Sequence, residues 1–359
     1  MDKSRFSLPL LIAAIFTLLA AVWAGWIRVG WQWPVIQPAL PVSHGPLMIS
    51  GFLGTLISVE RVVALRKRWL YIAPAFSAIG GLLLVFGVRG VFSSLLFTLS
   101  SVGLLVIFVI IIRQHPALYT YAMGGGALLW LVGNAFWLFG QPIYRSVFWW
   151  AGFLILTIAA ERLELGRLAR LSRSVELAFV GSLGLIVAGL TLRTFVLDWG
   201  TRLAGLGMLT LAIWLLRFDL ARRTVRQSGL PRYIAICLLS GYGWLVIAGA
   251  LGLWVGGVTT GFRYDALMHT IFLGFVFSMI FGHAPIIFPA ILGVKIAFHP
   301  LLYAQLALLH LSLLLRVGGD LFNSAAIRKW GGLFNGVALL LFLAGIAITI
   351  LRSRRTTNG

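Results

Sequence analysis

Apolar residues fill this chain in long unbroken runs, and polar residues gather in short clusters between them. Twelve runs can be marked, at about 7–29, 45–64, 70–88, 91–112, 117–139, 146–166, 176–196, 201–217, 231–256, 264–292, 300–318 and 329–351. Most reach the roughly 20 residues that cross about 30 Å of hydrocarbon at 1.5 Å per residue. They predict membrane-spanning helices and an all-α polytopic membrane protein. The run at 201–217 is the short one. The longest intervening stretches, 30–44 and 218–230, are too short to fold alone. The first run exceeds the apolar core of a signal peptide, so a retained helix is expected.

Three of the runs share an internal pattern. Gly51–Glu60 reads GFLGTLISVE, Gly152–Glu161 reads GFLILTIAAE and Gly274–His283 reads GFVFSMIFGH. Each opens Gly-Phe and reaches an ionisable residue nine positions later, and each falls four runs after the one before. The chain therefore reads as one membrane domain, 1–359, of three repeats of four helices, at about 1–113, 114–226 and 227–359. In the third copy a histidine stands where the first two have glutamate.

Composition agrees with the pattern. Sixty per cent of residues are hydrophobic and 11 per cent charged, a balance outside that of soluble domains. The formal charge of +20 does not point to nucleic acid, because the basic residues alternate between loops. Rich loops carry Lys3/Arg5, Arg66/Lys67/Arg68, Arg167/Arg170/Arg173, Arg217/Arg222/Arg223/Arg226/Arg232 and Arg352/Arg354/Arg355. The loops between them are poorer, with Arg28, Arg89, Arg145 and Arg263 as examples. This asymmetry predicts an inner-membrane protein of a prokaryote with both termini cytoplasmic, and membrane lipid as a partner. The single cysteine, Cys237, excludes a disulfide framework or thiol metal motif.

Ionisable groups inside a membrane mark functional sites by default. His44 opens the second run and His269 lies near the start of the tenth, both at the predicted outer face. Two neutral imidazoles on facing helices are what a six-coordinate haem iron needs; the alternative is two interfacial histidines bonded to water or headgroups. Asp265, four residues before His269, is a candidate to orient it. His283 lies 14 residues after His269, which on a uniform α-helix gives the same face about 21 Å along the axis. Pro285 and Pro289 follow it and bend the helix. His310 lies midway through the eleventh run, at a depth where it can approach His283 or donate to a neighbouring backbone carbonyl. Glu60-Arg61 and Glu161-Arg162 occupy the matching position of the other repeats, as structural ion pairs or as a carboxylate proton route or metal ligand.

Run two reads SHGPLMISGFLG, run ten RYDALMHTIFLGFVFSMIFGHAPIIFP, and run eleven LLHLSLLLRVGGD. These residues resemble the NnrS-type proteins, membrane proteins with haem and copper implicated in responding to nitric oxide. Beyond them they resemble the catalytic subunits of haem–copper oxidases and nitric oxide reductases, which also have twelve spans in three pseudo-symmetric groups. The resemblance implies haem b, with His44 as the helix-two ligand and His269 as a second candidate; His283 and His310 have weaker counterparts. The oxidases hold copper with histidines on helices six and seven, whereas 146–196 here contains none. Proton-pumping oxygen reduction is therefore not expected, and copper or any second metal must use Glu161, His283 or His310. The substrate implied is small and neutral, such as nitric oxide, and the electron donor a quinol or an external cytochrome. Any enzyme activity would be that of an oxidoreductase.

A cofactor-free transporter of a small solute is the competing reading, since transporters also carry repeats. The three matching runs here all point the same way, so the repeats are parallel, in three sets of four.

Overall fold

The computed structural model describes residues 4–88, 91–166, 171–292 and 298–357. Lys3, Arg89, Arg167 and Arg170 lie outside them. Among the described residues the chain is helical without strands, and the helices follow the apolar runs. We number the long segments α1 Ser4–Arg28, α2 Pro41–Leu65, α3 Arg68–Val85, α4 Phe92–Gln114, α5 Leu118–Leu138 and α6 Ile143–Leu165. The series continues with α7 Arg173–Arg193, α8 Leu197–Phe218, α9 Gly229–Val255, α10 Gly261–Ile287, α11 Leu301–Leu321 and α12 Ala325–Thr357. The short run at 201–217 gains a turn and reaches full spanning length in α8.

Eleven of these segments are long and apolar enough to cross a membrane, which makes this an all-α polytopic membrane protein. The exception is α5, which the apolar runs had marked as a twelfth span. Its sequence carries three consecutive glycines, Thr120 and Asn134, and the last two are buried. A helix whose polar groups are met by neighbouring helices does not need a uniformly apolar surface.

Two compact units emerge, the described residues of Met1–Phe153 with Ile287–Val294, and those of Leu154–Ile286 with Lys295–Gly359. In the first unit α1, α2 and α3 meet where side chains are smallest. A Cβ on Gly81 would lie 2.6 Å from Thr17 Cγ2 and 3.2 Å from the Cα of Gly51, so the opening glycine of the first motif is a backbone contact point. Around it runs a buried polar network. Trp130 Nε1 donates to Ser50 Oγ (3.1 Å), Ser50 Oγ donates to Asn134 Oδ1 (3.2 Å), Trp150 Nε1 donates to the same oxygen (2.9 Å), and Asn134 Nδ2 donates to the Phe97 carbonyl (2.9 Å). One amide thus ties four helices together, and within this network each side chain finds a partner in the apolar interior.

In the second unit, α9 turns into α10 through Gly256, whose φ of +65° favours glycine. Asp198 braces that turn by accepting from the Gly257 N–H (3.1 Å) and pairing with Arg202 (2.8 Å). The turn sets the start of α10, which carries His269.

Candidate functional site: four histidines within the helices

His44 lies in the first unit, three residues into α2, after the helix start that Pro41 presets at its first position. Its Nδ1 lies 2.7 Å from the carbonyl of Ala21 on α1. A carbonyl only accepts, so Nδ1 carries the proton and Nε2 is the basic nitrogen. Gly25, one turn along α1, makes room for the ring: a Cβ there would stand 3.0 Å from Cε1 and 3.1 Å from Nδ1. Arg28 closes the same end by donating to the Pro41 carbonyl (3.3 Å). Beyond it Trp33 packs on Trp23 and Trp26, with ring centroids 4.8 and 4.7 Å away.

His269 lies in the second unit, on α10. Its Nδ1 lies 2.8 Å from the carbonyl of Asp265, one turn back, which fixes the same tautomer. The Asp265 carboxylate is 3.4 Å away, so Asp265 orients the ring chiefly through its backbone. That carboxylate serves mainly to take Arg316 in a two-point bond (2.8 and 3.0 Å) and Arg328 at 3.3 and 3.5 Å. Arg328 also pairs with Asp320 at 3.2 Å, and Asp320 is fully buried. Two carboxylates and two guanidiniums thus form one network beside His269. A ring held at Nδ1 by an oxygen acceptor, with a carboxylate behind it, has the orientation of a metal-ligating imidazole.

His283 repeats the arrangement, with Nδ1 2.7 Å from the carbonyl of Met279 one turn back. The α-helical angle that put it on the face of His269 does not apply, because the intervening Thr270–Phe277 is π-helical and turns less per residue. His310 differs. Trp244 Nε1 donates to its Nδ1 (2.9 Å), so the proton resides on Nε2 and neither nitrogen offers a metal a lone pair. The indole partner, rather than a backbone carbonyl, holds this histidine, and it leaves the ligand set. Among the described residues no three of His, Cys, Asp or Glu gather as a group able to hold a metal ion, so Glu161, His283 and His310 form no second-metal site there. A haem iron brings four ligands of its own and needs only one or two side chains.

Glu60 pairs with Arg61 at 3.7 Å, and Arg61 also lies 5.9 Å over the Phe108 ring. In the second repeat the expected Glu161–Arg162 pairing gives way to a longer-range one. Arg162 makes a two-point bond to Asp219, Nε to Oδ2 at 2.8 Å and Nη2 to Oδ1 at 3.0 Å, with both side chains buried. Adjacent helical residues point about 100° apart, which favours a partner from another element.

Two features of the motif were not legible in its letters. The eight positions from four before the motif glycine to three after it are π-helical in the first and third copies, as Leu47–Gly54 and Thr270–Phe277. The second copy stays α-helical through Ile143–Leu165. One residue past each π segment a hydroxyl donates to the motif glycine's carbonyl, Thr55 to Gly51 (2.7 Å) and Ser278 to Gly274 (2.5 Å). The second copy has Leu156 there. π-Helical turns are concentrated at functional sites, and both lie directly downstream of His44 and His269. The two histidines differ in repeat position, seven and five residues before the glycine, so the repeat itself does not generate them.

A family model described as a domain of unknown function (DUF8744) matches residues 7–351, so the chain belongs to that family. No curated protein matches it.

Proposed function

We propose that this DUF8744 member is a b-type haem-binding protein of the prokaryotic inner membrane, with His44 and His269 each a candidate axial imidazole. The observation that carries the reading is the shared tautomer: each ring gives Nδ1–H to a backbone carbonyl and presents Nε2 as its basic nitrogen. Of the chain's six histidines, His44, His269 and His283 have this polarity, and the resemblance carried by α2 and α10 favours the first two. Haem would supply one-electron chemistry and an iron able to bind a small neutral ligand; the protein's part is to orient the imidazoles and exclude water. The resemblance of α2, α10 and α11 to NnrS-type proteins supports nitric oxide handling or related redox chemistry, fed by a quinol or an external cytochrome. The alternating basic loops support cytoplasmic termini. Copper is not part of the proposal.

The test is an absorption spectrum of the detergent-purified protein, oxidised and dithionite-reduced, with iron analysis on the same sample. The expected result is a sharp b-type band with stoichiometric iron that is lost or shifted in His44→Ala and His269→Ala and kept in His310→Ala. A colourless, iron-free protein from haem-replete cells refutes the reading and favours the transporter.

A further inference from the structure

The segment joining α8 to α9 has an unusual charge economy. From Arg217 to Arg232 it carries five arginines, Arg217, Arg222, Arg223, Arg226 and Arg232, all exposed. Asp219 is the only acidic residue of the stretch from 199 to 264. That carboxylate is spent internally: it is buried, takes Arg162 in two bonds, and accepts from the Ala221 N–H (2.6 Å) at the start of the short helix Ala221–Thr224. The one negative charge of this stretch is thus turned inward, and the same contact fixes the backbone that presents the arginines. Arg222 is further braced by donating to the Arg217 carbonyl (2.7 Å), over the end of α8.

The surface below the cluster is apolar and outward-facing. Leu206 and Ile213 are 38 and 53 per cent exposed, and with Arg217 they are spaced seven and four residues apart along α8. On an α-helix these three share one face and span about 16 Å. An apolar stripe of that length ending on guanidiniums matches an acyl chain ending on a phosphate. Guanidinium forks suit phosphate oxygens, and basic side chains near the membrane surface are drawn to anionic headgroups.

We propose that Arg217–Arg232 is a binding site for an anionic phospholipid, with the headgroup phosphate on Arg217, Arg222 and Arg226 and an acyl chain along Leu206–Ile213. The clamp formed by Arg162 and Asp219 makes it a built site, unlike the basic loop at Arg66, Lys67 and Arg68, whose three side chains are also exposed.

The test titrates delipidated, detergent-purified full-length protein with dioleoyl phosphatidylglycerol, dioleoyl phosphatidylcholine or inorganic phosphate, reading bound lipid by native mass spectrometry and thermal unfolding. Phosphatidylglycerol should bind at least about tenfold more tightly than phosphatidylcholine and raise the unfolding temperature more. The triple variant Arg222→Gln/Arg223→Gln/Arg226→Gln should lose that preference. Arg66→Gln/Lys67→Gln/Arg68→Gln should keep it, and inorganic phosphate should not substitute. Equal binding of the two lipids, equal loss in both triple variants, or equal protection by inorganic phosphate would each overturn the proposal. All six changes are at exposed positions, so the folding of the variants is not at issue.

Discussion

Asp219→Asn removes one charge from a pair whose side chains are 7 and 1 per cent exposed, and leaves the Arg162 guanidinium buried without a counter-charge. Breaking a buried pair from one side typically costs about 3–5 kcal/mol, because the remaining ion keeps its desolvation penalty. That raises the unfolding constant by about two to four orders of magnitude. Asparagine retains an oxygen for the Ala221 N–H, so this cost reports the charge rather than the turn. Asp219→Ala should lose about 1–3 kcal/mol more, since the Ala221 donor is then unmet as well. Replacing both partners, in Arg162→Met/Asp219→Leu, removes both desolvation penalties together and should recover the charge part of the loss, leaving the cost of the unmet Ala221 N–H. The assay is equilibrium unfolding of the purified protein in mixed micelles, titrated with dodecyl sulfate, over the full double-mutant cycle. If Asp219→Asn costs under about 1 kcal/mol, the pair behaves as a solvated surface bridge and the burial argument fails.

Three further outcomes follow from the packing. Gly274→Ala should destabilise by about 1–3 kcal/mol, because its Cβ would fall 2.6 Å from Trp244 Cβ; Gly243→Ala, with nothing within 4 Å, should be neutral or stabilising in the same unfolding assay. Gly25→Ala should displace the His44 ring from the Ala21 carbonyl, seen as altered reduced-haem bands if the haem reading holds and as lowered thermal stability in any case. Trp244→Phe should release His310 Nδ1 at a cost of about 1 kcal/mol and move the proton populations of its two nitrogens, read by ¹⁵N NMR of labelled histidine; unchanged populations would count against the indole donor.

What the sequence disclosed was set by the range of the interaction. Twenty-residue apolar runs are local, and they gave the spanning helices within a few residues. α5 was found for the same reason, although its Asn134 belongs to a network closed by Ser50, eighty-four residues away. Asp265 as the neighbour of His269 was legible because four residues is one helical turn. Its charge partners Arg316 and Arg328 were not, lying 51 and 63 residues on and brought in by the α11–α12 hairpin. Asp219 was invisible among its arginines, since nothing in a loop's composition tells which charge turns inward. The tautomers were likewise out of reach: a histidine's letter is the same whether a carbonyl or an indole faces its Nδ1.

The π segments show a finer limit, and they carry a prediction of their own. An i→i+5 turn differs from an α turn by one residue of register, and both bury the same apolar letters, so hydrophobic spacing cannot separate them. The difference lies at the position after the segment, where the three copies read Thr55, Leu156 and Ser278. In the two copies with a hydroxyl, that group meets the motif glycine's carbonyl; where leucine stands, the helix is α. If the hydroxyl helps hold the widened turn, Thr55→Val and Ser278→Ala should each cost about 1 kcal/mol. Each should also speed amide exchange within its own segment, 47–54 or 270–277, by about fivefold, leaving 143–156 unchanged. Both hydroxyls are fully buried, so solvent cannot replace them. Exchange that is unaltered in both variants would show that the turn is set by packing around Gly51 and Gly274, with the hydroxyl merely occupying the carbonyl that such a turn exposes.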